Sequence, residues 1–484
     1  MKLKKIHIIV IIIGAIIMLA GTFHTNIWFD KSYTVGMVNQ SFKDMIVSGI
    51  DDVHPLLYYI LLKMYSLFVG TGIIQLRIFS CIGMIILSIL GYTHIRKDLG
   101  EKAGLIFSLL VSFLPVTLLY ANEIRMYSWV AVFVTLTGIY AFRVWKNNNK
   151  KDWILFAIFS LASAYSHYYG MMTIGIINII LMVIVLKNRE KYLKNWIKTA
   201  IGEIVFFIPG LIIFIKQAFL KTGGFWITVK YPDILKDIIT FNYTGVLDSK
   251  LFNIIIFTFA SIFSIYWIYK LIKQRKSEDS KLPVYATLVY IISIAIPLII
   301  SIKLDMFVTR YTIPMLGLLL IGIAYILSKE TNKIILTIVT MCIAILSISN
   351  IYIFYSQIYD SQNNELNNVL SEYISEEDIF ICKDITLAGV IAEKYPNNKS
   401  YFYNIDHWDI KNAYNAFLPQ MEVIEDLSLI ENYEGKIWLI DSGDEGLYNL
   451  FSEDVRMEEI IVKRKVHQPY KNLNFIVTLM DKNN

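Results

Sequence analysis

Asp30, Asp52 and His54 stand in one polar stretch from Trp28 to Tyr59, between long apolar runs; Glu123, Arg125 and Tyr127 follow in YANEIRMY, His167 in SHYYG, and Arg310 beside Tyr311. A carboxylate can act as general base on an acceptor hydroxyl, while arginine and histidine stabilise a departing phosphate through charge-assisted hydrogen bonds. Each residue also has an ordinary structural role available. Asp30 can cap a helix or sit in water, and Asp52 can cap a helix that starts at Pro55. Glu123 and Arg125 can form an ion pair at a helix end, where residues two apart do not share a helical face. His167 can be a hydrogen-bonded interfacial side chain, and Arg310 can snorkel. The chemical reading rests on their convergence, which depends on the elements that carry them.

Those elements are built for lipid. The 484 residues are 56% hydrophobic and 18% charged, with a mean hydropathy of +0.52, too apolar for an ordinary soluble protein of this length. About 20 apolar residues cross the hydrocarbon core as a helix. About eleven segments meet that requirement: 6–22, 76–94, 103–120, 127–145, 153–167, 170–187, 197–216, 251–271, 283–302, 310–328 and 333–355. Residues 55–69 are apolar but short and carry Lys63. If they lie on the surface, HIRKDLGEK, KNNNKKD, KNREKYLKNWIK, KQRKSEDSK and SKETNK all fall on the side of Met1. The positive-inside preference then makes that side cytoplasmic and residues 55–69 an interfacial helix anchored by Tyr58, Tyr59 and Tyr65. All the candidate residues fall on the opposite, outer face.

The net charge of +5 is distributed in those short clusters rather than along a stripe, which is a topology signal and not a nucleic-acid footprint. Cys81, Cys342 and Cys382 are far apart and imply neither a disulfide framework nor a zinc site. The N-terminal apolar run resembles a signal peptide without a small-x-small cleavage site and reads as an uncleaved first helix. From about Asp360 the composition turns polar. DIFICK, SYFYNI, KIWLID and NFIVTLM read as strands of a small α/β domain, with helices near 387–395 and 445–451. The organisation expected is a transmembrane domain over 1–355, a linker over 356–370 and an extracytoplasmic α/β domain over 371–484.

A polyprenyl-phosphate sugar suits such an outer rim: the tail between spans, the phosphate near the rim and the sugar against Asp30. A nucleotide sugar fits poorly, since no Gly-rich phosphate loop is present. WFDKSYT, DVHPLLYYILL, YANEIRMYSW, FWI and RYTIPMLGLL occur in an order that resembles the multi-spanning GT-C glycosyltransferases, particularly the bacterial branch related to protein O-mannosyltransferases and the lipid A aminoarabinose transferase. The resemblance covers roughly residues 1–355 and implies an all-α polytopic membrane fold with interfacial helices in the first outer loop. It matches Asp30 to the first-loop catalytic carboxylate, Glu123 and Arg125 to the second-loop acid and its neighbouring base, and Arg310 to a late arginine near the donor phosphate. Many relatives carry a second acid after the first-loop aspartate, whereas Lys31 stands here, so no obligatory metal is expected. Asp52, His54, Tyr127, His167, Trp226 and Tyr311 complete the expected substrate contacts, with Trp226 and Tyr231 as sugar-stacking candidates.

The expected activity is inverting transfer of a sugar from a polyprenyl-phosphate donor to a glycan, lipid or protein acceptor at the outer face of the plasma membrane. The rivals are a transporter or lipid-glycan flippase and a catalytically dead relative. Transport usually places ionisable groups near the bilayer midplane and often shows repeated halves, while the notable charges here gather at one rim.

Overall fold

The computed structural model describes residues 2–220, 227–405, 415–417, 421–428, 433, 435–443, 446–454 and 459–481. The chain divides into two compact units. The first comprises Met1–Phe23, Val53–Leu62 and Arg77–Phe354; the second comprises His24–Asp52, Lys63–Leu76 and Tyr355–Asn484.

The chain begins with α1 (Lys2–Ala20), α2 (Phe29–Asn39), α3 (Phe42–Asp51), α4 (Leu57–Val69) and α5 (Ile73–Leu90). Among the described residues nine helices are long and apolar enough to cross a membrane, or ten if the bent pair Glu101–Phe113 and Pro115–Ala121 is one span. The difference from about eleven lies at 153–167, where helix Lys150–Ala164 has only 15 residues. At 1.5 Å per residue it reaches roughly 22 Å, short of the ~30 Å hydrocarbon core. Helix α4, with 13 residues, is shorter still, as an interfacial helix would be.

The spans expose Ile12, Ile16, Ile204, Phe206, Ile262, Ile265 and Ile348. Apolar side chains on the outside of a helical unit face a solvent that is itself apolar. The protein is a multi-pass membrane protein. Inside the first unit, small residues let backbones approach: a Cβ on Gly104 would stand 2.5 Å from the Gly91 carbonyl oxygen. The 62° bend follows from Pro115. Leu114 is extended (φ −60°, ψ 140°), as a residue before proline prefers, and Pro115 takes the first helical position, where its missing N–H is not needed.

The second unit contains a six-stranded sheet in the order β3-β2-β1-β4-β6-β5. Its strands are β1 (Ile379–Cys382), β2 (Ser400–Tyr403), β3 (Met421–Ile424), β4 (Lys436–Asp441), β5 (Glu459–Gln468) and β6 (Leu473–Asp481). Strands β3, β2, β1 and β4 are parallel, with β6 and β5 antiparallel beside them. Ile379, Ile381, Ile437, Leu439 and Met480 pack one face against Leu447 and Phe451 of helix Gly446–Asp454. Helices Ile385–Lys394 and Gly446–Asp454 coincide closely with the two expected, and β1, β2, β4 and β6 with the four strands. Strands β3 and β5 are additions at the sheet edges. SQNNELNN forms the 3-10 turn Ser361–Asn364 and the start of helix Glu365–Tyr373.

In the second unit α2 is buried along most of its length, from Lys31 to Val38. Gly36 lies so close to the 415–417 segment that a Cβ there would stand 2.7 Å from the Ala416 carbonyl oxygen. Phe417 receives Phe29 and Tyr33 at ring-centroid distances of 6.4 and 6.3 Å. Lys63 donates to the Val38 and Gln40 carbonyls at 2.6 and 2.7 Å. This lysine in an apolar helix therefore closes the C-terminal end of α2, where carbonyls lack helical partners.

Candidate active site

In the first unit the candidate residues come from bends and helix ends rather than helix interiors. His54 lies in the bend before α4, and Arg125 in the non-helical turn between helices Pro115–Ala121 and Tyr127–Asn147. The Arg125 amide donates to the Glu123 carbonyl at 2.8 Å, a tight turn that releases Glu123, Arg125 and Tyr127 from helical spacing. Arg77, fully buried in α5, donates from Nη1 to the Asn122 carbonyl at 2.9 Å and holds the start of that turn. Sequence reasoning passed over Arg77, although an arginine inside IIQLRIFSC was the available signal.

Arg125 is 5% exposed. It donates from Nη2 to His54 Nε2 at 3.0 Å and from Nη1 to the Tyr59 hydroxyl at 3.3 Å. A guanidinium cannot accept, so His54 accepts at Nε2 and carries its proton on Nδ1. His167 caps helix Tyr168–Lys187, accepting the Tyr169 amide at Nδ1 at 3.1 Å. Its remaining proton is on Nε2. Burial holds the His167 imidazole well below its ordinary value, reinforced by His54, Arg125 and Arg310. It is therefore a neutral ring whose donor is Nε2–H.

Aromatic rings complete the cluster. His167 lies 5.7 Å from Tyr127, 5.8 Å from Tyr169 and 5.4 Å from Tyr311, while the Arg310 guanidinium is 5.9 Å from the Tyr311 ring centroid. Glu123 is buried in the same turn. The structure thus gathers His54, Arg125, Tyr127, His167, Arg310 and Tyr311, with Glu123 beside them, in one unit. Two guanidiniums, two imidazoles and several phenols suit an anion such as a phosphate.

Asp30 and Asp52 belong to the second unit. Asp30 is half-buried in the first turn of α2, a position favourable to a carboxylate. Asp52 is the C-cap of α3, not the cap of the following helix, which begins only at Leu57. The bend at 52–56 separates the two helices, so Pro55 precedes the first turn of α4 rather than joining it. Tyr231 donates its hydroxyl to the Leu298 carbonyl at 2.7 Å. Trp226 lies outside the described residues. Among the described residues no group of three or more His, Cys, Asp or Glu side chains is arranged to hold a metal ion.

Across 98% of this chain and 97% of the other, the structure superposes on the crystal structure of ArnT from Cupriavidus metallidurans in the apo state, with a TM-score of 0.66 at 10% identity. The fold is GT-C-like. The ArnT structure bound to undecaprenyl phosphate matches with a TM-score of 0.61 at 11% identity, over 98% of this chain and 97% of that one. Residues 52–213 match the family described as dolichyl-phosphate-mannose-protein mannosyltransferase, a stretch that contains the His54, Arg125 and His167 elements. No curated protein matches the chain. The comparisons thus show the fold of the whole chain and, over residues 52–213, a likeness to that mannosyltransferase family.

Proposed function

We propose that this protein is an inverting glycosyltransferase that moves a sugar from an undecaprenyl-phosphate-type donor to an acceptor at the outer face of the plasma membrane. The observation that carries the reading is the buried Arg125–His54 pair beside neutral His167, within a GT-C-like fold. The donor phosphate binds there. Asp30, assigned through the resemblance, takes the proton of the acceptor hydroxyl as its oxygen attacks the anomeric carbon. The bond from that carbon to the phosphate oxygen breaks, and the electron pair leaves on the phosphate. Arg125 and Arg310 compensate the growing charge, while the N–H groups of His54 and His167 add hydrogen bonds. Glu123 helps position acceptor or sugar, and Tyr127 and Tyr311 shape the site. Asp52 joins the substrate contacts, and Trp226 stacks on the sugar.

In this reading residues 1–355 form the transferase domain, 356–370 connect, and 371–484 form an extracytoplasmic domain, with the N-terminus cytoplasmic. No obligatory metal takes part, because Lys31 replaces the second carboxylate of many relatives. Turnover therefore persists after chelation with EDTA.

The test uses the purified full chain with undecaprenyl-phosphate-linked hexoses and pentoses, envelope extract as acceptor, and release of undecaprenyl phosphate as readout. Asp30→Asn is expected to lower turnover by about 100-fold or more; a well-folded Asp30→Asn protein with full activity sinks the assignment. Uptake of the same donors by sealed vesicles without release of undecaprenyl phosphate would favour the flippase instead. Reporters fused after residues 70 and 365 are both expected outside; a cytoplasmic reporter at 365 contradicts the orientation.

A further inference from the structure

Asp30 is flanked in sequence by two residues that the same hairpin turn engages. On one side, Trp28 is the N-cap of α2, and its ring lies 4.8 Å from the Lys471 ammonium. On the other, Lys31 is 1% exposed and donates to the Tyr470 hydroxyl. Tyr470 and Lys471 are consecutive residues of the turn joining β5 to β6.

The turn is itself held firmly. The Tyr470 amide donates to Asn363 Oδ1 at 2.9 Å, and Gln468 Nε2 donates to the Tyr470 carbonyl at 3.0 Å. The His24 ring stands 5.4 Å from the Tyr470 ring, on the chain that leads into α2. Lys471 and Asn472 have positive φ, at 66° and 51°, uncommon for residues other than glycine and a sign of a specific turn shape. Burying an ammonium group is costly without a hydrogen-bonding partner. The Tyr470 hydroxyl supplies such a partner to Lys31, which ties the ammonium to the turn.

We propose that the β5–β6 turn is a positioning clamp for Asp30. Tyr470 and Lys471 fix the backbone on both sides of the carboxylate, so the C-terminal domain sets the direction in which Asp30 is presented. This rests on the role given to Asp30 above. It also gives Lys31 a role other than donor handling: where many relatives carry a second acid, this chain carries a tether. Tyr470 and Lys31 are positioning residues, since they act through Asp30.

The experiment compares Tyr470→Phe, which keeps the ring and removes the acceptor, with Lys31→Met and Lys31→Arg in the full chain. Turnover is followed with the undecaprenyl-phosphate-linked hexose or pentose that the wild type uses, and hydrogen exchange is followed at the amides of residues 28–40. Tyr470→Phe and Lys31→Met are each expected to lower kcat about tenfold with donor KM within about twofold, as a displaced catalytic group would. The double variant should be no worse than either single one, Lys31→Arg should restore part of the loss, and exchange should quicken in α2 while the spans stay protected. In an Asp30→Asn background, Lys31→Met should change kcat no further. Wild-type kcat together with wild-type exchange in α2 for both variants overturns the clamp, as does exchange that quickens across the whole chain. Full activity of Asp30→Asn overturns the catalytic role of Asp30 instead, a result the exchange measurement separates from failure of the clamp.

Discussion

Arg125 in the first unit and Lys31 in the second are both cations withdrawn from water, at 5% and 1% exposure, yet their surroundings differ in kind. Arg125 meets His54 and Tyr59, and its neighbourhood includes a second guanidinium and a neutral His167. Lys31 meets the Tyr470 hydroxyl and lies 4.9 Å from the centre of its ring. The first arrangement brings guanidiniums and imidazole nitrogens together beside the buried Glu123, a set of donors of the kind that binds anions. The second consumes its cation in joining a helix to a hairpin. Burial alone therefore does not separate a binding cation from a building one; the chemistry of the neighbours does.

The largest expected effect separates the two directly. Arg125→Met should lower turnover by about 100-fold or more, as loss of a preorganised charge donor does, and should weaken binding of undecaprenyl phosphate. Lys31→Met should leave that binding near wild type. Equal loss of undecaprenyl phosphate binding in both variants would erase the distinction.

Packing around α2 provides the next test. Gly36→Leu must displace the 415–417 segment, and overpacking of this sort costs about 1–3 kcal/mol. Thermal unfolding of the full chain should shift downward, with faster hydrogen exchange in α2. An unchanged transition would mean that α2 is not held as closely as Lys31 requires.

Acidity probes the anion cluster. The folded His167 imidazole lies well below its ordinary value of 6.5, so the unfolded chain takes up that proton first on acidification. The stability it contributes is fully present above about pH 6.5 and is lost progressively below it, by at most about 1.4 kcal/mol per pH unit. Melting measured from pH 7 to pH 5 should show this loss, and His167→Gln should flatten it. A slope unchanged by His167→Gln would refute a neutral buried ring.

The smallest effect calibrates the others. Lys329 meets Asp279 at 3.4 Å in an exposed pair, with side chains 43% and 70% accessible. Lys329→Met should change stability by less than about 1 kcal/mol, as exposed ion pairs generally do. A change as large as that of Gly36→Leu would show that burial is not what ranks these cations.

What the sequence disclosed follows the range of the forces involved. Spans are set by local runs of apolar residues and are legible, whereas the 62° break before Pro115 falls inside the run 103–120 that reads as one span. The inner strands β1 and β4 are buried on nearly every residue, because neighbours cover them. Strands β3 and β5 lie at the sheet edges and carry polar residues, as in EIIVKRKVHQ, which masks the strand pattern. The cluster of His54, Arg125, His167 and Arg310 was accessible as residues on one membrane face, and the structure adds their mutual geometry. Arg77 left a signal as an arginine inside an apolar run, but Lys63 at the end of α2 and Lys31 on Tyr470 were not legible. The last joins residues 439 apart, and no local period records such a contact.

That separation has a temporal consequence. The second unit is assembled from three pieces of chain, and α2 is synthesised about 430 residues before the turn that clamps it. At 5–20 residues per second the delay is roughly 20–90 s. Throughout it the helix carrying Asp30 has been made without the residues that will cover Gly36 and meet Lys31. The candidate catalytic carboxylate is thus among the first groups synthesised and among the last to be fixed, so its clamp cannot form until translation has passed residue 471.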